Sequence, residues 1–106
     1  MSASERTELI VIERATNSED SYGQAIPSWS AYATRRAYVR FGGAQEKREA
    51  AEEGGTQAAT FECVRSSTLE AVTLKDRISY LGSVWDLTEV APLDRQTIRF
   101  TATRAL

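Results

Sequence analysis

The chain has 106 residues, enough for one domain with a thin core, and its 42% hydrophobic content is too high for a disordered protein. A formal net charge of −2 gives no basic footprint for tight nucleic-acid binding. With no histidine and the single cysteine Cys63, a Ser-His-Asp or Cys-His arrangement and an intrachain disulfide are impossible, and a zinc centre has too few ligands.

Glu8 to Ala15 is rich in Leu, Ile and Val and reads as a first strand. Leu9 and Val11 lie on one face and Ile10 and Ile12 on the other. A strand apolar on both faces is central in a sheet or pressed against a neighbouring subunit. Thr16 to Gly23, with Asn, Ser, Asp and Gly, reads as a turn or loop, and Pro27 is expected to limit pairing before Trp29. Thr34 to Phe41 alternates: Arg35, Ala37, Val39 and Phe41 share one face, and Arg36, Tyr38 and Arg40 the other. Arg and Tyr are enriched at protein interfaces, so the second face is a candidate subunit contact together with Leu9 and Val11.

Ala44 to Glu53 departs from the strand pattern. It is built of good helix formers and bracketed by Gly42-Gly43 and Gly54-Gly55. Its only apolar residues are alanines, so no face is available to dock on a core. Glu46, Glu49, Glu52 and Glu53 set against Lys47 and Arg48 give it a net −2. Both a projecting loop with a short helix and an ordinary solvated helix fit this composition.

Thr56 to Arg65 alternates again, with Ala59, Phe61 and Cys63 inward. Leu69 to Lys75 reads as a connection or short strand. Arg77 to Leu81 and Ser83 to Val90, separated by Gly82, read as a hairpin or one bent strand. Ala91 to Arg95 reads as a turn, and Gln96 to Ala105 as a last strand with Ile98, Phe100 and Ala102 on one face. Tyr22, Trp29, Phe61, Tyr80 and Trp85 are expected to pack in the core or at a barrel end. The fold class expected is mainly β: a small antiparallel β-barrel or sandwich with one long loop carrying a short helix. No apolar run approaches the ~20 residues of a membrane span, and Met1 to Arg6 is polar, unlike a secretory signal. One unpaired cysteine fits synthesis in a reducing bacterial cytoplasm.

From Glu8 to Thr103 the chain resembles the tailed-phage head-tail joining family, also described as head closure, stopper or head-tail adaptor proteins. The matching pieces are Leu9-Ile10-Val11-Ile12-Glu13-Arg14, Asp20-Ser21-Tyr22-Gly23, Trp29, Thr60-Phe61-Glu62-Cys63-Val64-Arg65, Arg77-Ile78-Ser79-Tyr80-Leu81-Gly82, Trp85-Asp86-Leu87 and Val90. The Gly-Leu-Arg often found before that family's first strand is absent, and Ser4 to Glu8 stands there. The resemblance implies a structural virion protein of the head-tail connector, without enzymatic activity or cofactor. It implies a homo-oligomeric ring, expected to be dodecameric, with a portal-adaptor ring on the head side and a tail terminator or tail tube on the other. Double-stranded DNA would pass through the ring without sequence-specific binding, and no membrane is involved. The segment from Gly42 to Gly55 stands where the family places a loop pointing into the channel. On the residues alone, a tail terminator or an OB-like module gripping nucleic acid or a peptide stays open, and a carboxylate enzyme is the weakest alternative.

Overall fold

A computed structural model describes residues 6–19, 21–42 and 55–105. It contains β1 (Glu8–Glu19), β2 (Ala25–Phe41), β3 (Thr56–Val64), α1 (Ser67–Glu70), β4 (Arg77–Tyr80), β5 (Ser83–Pro92) and β6 (Thr97–Ala105). The strands pair antiparallel in the order β1-β2-β3-β6-β5-β4, and β4 pairs back on β1 to close the barrel. Closure leaves no free sheet edge around the core.

Alternation decides which side chains fill it. Ile10 and Ile12 enter from β1, Ala33 and Ala37 from β2, and Ala59, Phe61 and Cys63 from β3. Ile78 and Tyr80 come from β4, Trp85 and Leu87 from β5, and Ile98, Phe100 and Ala102 from β6. Phe61 is the hub: its ring meets Tyr80 edge-on at 5.7 Å and Trp85 at 5.8 Å, the arrangement that ring quadrupoles favour. Val39 packs against this core, and Phe41 continues its row toward Tyr80 and Trp85. Burial pushes the Cys63 thiol up to about 12, against the opposing influence of Arg35 and Arg6.

Four expectations are corrected. β1 runs beyond Ala15 to Glu19 and β2 begins at Ala25, so the loop shrinks to a tight turn at Ser21–Gly23, with Gly23 at φ 81°. Pro27 lies inside β2 opposite Asn17. It is tolerated because β3 pairs only with Tyr38–Phe41, so the far edge of β2 at Pro27 carries no ladder among the described residues. Leu69 to Lys75, expected as a connection or short strand, starts in the end of α1 and continues as a connection to β4; Ser66 caps the helix, its Oγ accepting from the Leu69 N–H at 3.3 Å. Leu69 from α1 and Val72 just after it are buried in the core cluster. β5 continues to Pro92, and the turn that follows is held by Asp94, whose Oδ1 accepts from the N–H groups of Gln96 and Thr97, both at 2.8 Å. The helix expected at Ala44–Glu53 lies outside the described residues.

The β4–β5 hairpin turns at Leu81 (φ 50°) and Gly82 (φ 76°), the positive pair that matches strand twist in two-residue turns. Gly82 adopts this freely. Leu81 does so at a cost of roughly 1–2 kcal/mol.

Truncating the hub, Phe61→Ala, should lower unfolding free energy by about 3–5 kcal/mol in urea titration. In the same experiment Cys63 should resist maleimide in the folded protein at pH 8 and react only as the barrel opens.

Candidate functional site

The outside of the molecule has two parts: the barrel walls and an arm. β4 pairs with β1 only at Val11–Glu13, and β3 reaches β2 only at Tyr38–Phe41. Beyond those ladders β1 and β2 continue as a two-stranded ribbon, with Glu19 opposite Ala25 at its far end. Ribbons of this kind are marginal in water unless something fixes them.

Two arginines fix the base of this one. Arg14 donates from Nε to Asp76 Oδ1 at 3.1 Å and from Nη2 to Asp76 Oδ2 at 3.0 Å, a two-pronged pairing. Its guanidinium also reaches Ala71 O at 3.0 Å and lies 3.9 Å from the centre of the Tyr32 ring. The Tyr32 hydroxyl donates to Thr68 O at 2.7 Å, tying the arm to α1. On the outer face, Arg77 donates to Glu13 at 2.8 Å and lies 4.0 Å from the centre of the Trp29 ring. Asp76 is 3% exposed. Burial pushes its carboxyl up, but hydrogen bonds from Arg14 and from the Thr73 N–H outweigh this and hold it below its ordinary value.

The contact residues expected from sequence share one outer wall. Leu9 is 51% exposed and stands directly opposite Arg36 across the β1–β2 ladder. Val11 is half-buried on the same face of β1. Arg36 is exposed and donates to Thr7 O at 3.1 Å. Tyr38, half-buried, faces Glu62, and exposed Arg40 faces Thr60. Of the glycine-bracketed segment, Gly42 and Gly55 are described, and Gly42 N–H donates to Ala58 O at 3.2 Å. Gly43, Glu46, Lys47, Arg48, Glu49, Glu52, Glu53 and Gly54 lie outside the described residues.

The arm lock was not legible in the sequence. Arg14 and Asp76 are 62 positions apart, and no local pattern pairs them. Trp29, expected in the core or at a barrel end, is half-buried on the outside over Arg77, because a kink in the ladder between Ile12 and Glu13 re-aims the strand beyond it. Tyr22, expected in the core or at a barrel end, is 89% exposed within the arm's turn. No cluster of potential metal ligands occurs among the described residues, and no helix among them is long and apolar enough to cross a membrane.

The sequence profile described as phage head completion protein matches residues 1–105. The chain belongs to this head completion family. Members are structural, non-enzymatic components, so the protein is a small virion protein of the head-tail interface, in a head-completion or stopper-type role. Ring-like oligomeric assembly is the general expectation for such a connector. The fold agrees with that of a chain in the virion of a native gene transfer agent particle: TM-score 0.64 and 19% identity, covering 94% of each chain. It also agrees with a protein of Shigella flexneri 2a whose solution structure is known: TM-score 0.63 and 18% identity, covering 96% of this chain and 95% of that one. Among curated proteins, none matches.

Because the folded Asp76 carboxyl titrates below its unfolded value, the lock stabilises this head completion protein above about pH 4. That contribution is lost as pH falls through the folded pKa. Asp76→Asn should therefore lower the urea midpoint at pH 7 and flatten its decline between pH 5 and pH 2, as followed by tryptophan fluorescence.

Proposed function

We propose that twelve copies of the chain, each a single domain over residues 1–106, form the ring that retains packaged DNA and offers the surface on which the tail attaches. One face of the ring meets a portal-adaptor ring and the other a tail terminator or tail tube. The observation that carries this reading is the outer face of β1. Ile10 and Ile12 already supply the core, yet Leu9 stays 51% exposed beside Arg36. An apolar residue on the solvent side of a strand, bordered by Arg and Tyr, has the composition of a protein contact. Leu9, Val11, Arg36, Tyr38 and Arg40 are the residues proposed to make it. A ring needs contacts that are unlike on their two sides and close by rotation.

Residues 42–55 are proposed to project toward the channel. Support comes from their composition: four glutamates against one lysine and one arginine. A passage through which DNA must leave quickly is served by a wall that does not hold phosphates, since each added cation contributes salt-dependent affinity.

Two outcomes in particles test these assignments. The double change Arg36→Glu and Arg40→Glu should give DNA-filled heads without tails, counted by electron microscopy, while normal tailed particles would contradict the contact. Changing Glu46, Glu49, Glu52 and Glu53 to lysine should leave the folded subunit's stability within about 0.5 kcal/mol of wild type, because surface charges contribute little. The same particles should eject DNA more slowly at low salt and recover as salt rises. Ejection at the wild-type rate at low salt would remove the channel assignment.

A further inference from the structure

The barrel stops supporting the arm at the level where the arm bends. The β4 ladder on β1 ends at Glu13, and among the described residues no strand pairs with the far edge of β2 before Tyr38. At that level the β1–β2 pairing slips. Ile12 stands opposite Ala33 and Glu13 opposite Ala31, so Tyr32 is the extra residue of a β-bulge. A bulge bends its strand and re-aims a side chain. The side chain re-aimed here is that of Tyr32, whose hydroxyl donates to Thr68 O at 2.7 Å.

The polar contacts that hold the arm gather at this bend. Arg14, the first residue past the seam, grips both oxygens of Asp76 and the carbonyl of Ala71, and its guanidinium lies over the Tyr32 ring. Asp76 is held in turn by the Thr73 N–H at 2.9 Å. Every partner in this cluster, apart from Arg14 and Tyr32, belongs to the connection from Thr68 to Asp76. Beside the cluster, arm and connection stand apart. They flank an open cleft of about 400 Å³, with Ala15 and Asn17 on the arm side and Ala71, Thr73 and Lys75 on the other. On the outer face the Arg77 guanidinium lies 4.0 Å from the centre of the Trp29 ring. That attraction depends on proximity rather than on a fixed hydrogen-bond angle, so it tolerates a shift of the ring.

We propose that the arm is a hinged lever, turning as a unit at the Tyr32 bulge, and that the cluster of Arg14, Asp76 and Tyr32 is the catch that holds it in its observed direction. Releasing Arg14 leaves a carboxylate that is 3% exposed without its cation, so half-engaged positions are disfavoured and the arm is either held or free. The position of the connection from Thr68 to Asp76 thereby sets the direction of the arm. The device belongs to the single subunit and does not depend on how subunits assemble.

Pulsed electron paramagnetic resonance on the spin-labelled full chain tests the lever. One label pair spans arm and barrel, Ala25→Cys with Ala58→Cys. A second pair stays on the barrel, Val84→Cys with Ala58→Cys. All three positions are exposed, and native Cys63 is buried and stays unlabelled. With the native catch, each pair should give one narrow distance. Adding Asp76→Asn should cost the arm pair its single distance, which spreads or splits, while the barrel pair keeps its own. Tyr32→Phe removes only the hydroxyl that donates to Thr68 and keeps the ring under Arg14. It should displace a smaller fraction of the arm distances, and it decides alone if Asp76→Asn does not fold. An arm distance that stays narrow and unmoved in the folded variants overturns the catch, as does one already broad with the catch intact. A barrel pair that spreads together with the arm pair overturns the hinge.

Discussion

The barrel depends on its shortest seam. β1 meets β4 through only three residue pairs, Val11–Ser79, Ile12–Ile78 and Glu13–Arg77, and this ladder turns an open sheet into a closed one. Side chains reinforce it from both sides. Ile12 and Ile78 are fully buried on the inside, and the Glu13–Arg77 pair, with Trp29 over the guanidinium, covers the outside. One residue further, Arg14 leaves β1 for the buried Asp76 just before β4. A carboxylate that is 3% exposed survives as a charge only when its partner and its backbone donors are in place. The seam thus fixes both the closure of the barrel and the base of the arm.

From that constraint the division of labour between faces follows. Inward positions are filled by Ile, Phe, Ala and the aromatic set around Phe61. What varies along the chain is the outside: exposed Leu9 and Leu81, a shallow groove over β3 and β6 with Arg40, Glu62 and Arg99 in its lining, and a ribbon extending past the barrel. A head completion protein works by contact rather than catalysis, and its information is carried on surfaces for which the fold itself has no use.

Alternation made most of this legible from sequence. The inward rows Ala59–Phe61–Cys63 and Ile98–Phe100–Ala102 were readable because period-two burial is local. So was the two-sided character of Leu9 to Ile12. The arm was hidden because Pro27 and the polar run Thr16–Glu19 look like loop, and only the absence of a neighbour on the far edge of β2 makes a strand possible there. Helix α1 does have a local signal: Ser66 followed by Ser67-Thr68-Leu69-Glu70 is a capped turn. The Arg14–Asp76 lock depends on strand order, which no local pattern encodes.

The central claim is that this chain is a component of the neck between head and tail. The direct measurement is electron microscopy of particles in which the subunit bears a visible label at its C-terminus. Label confined to the head-tail junction, in a ring around the particle axis, is the predicted result. Label spread over the capsid, placed at the tail tip, or missing from purified particles would contradict it.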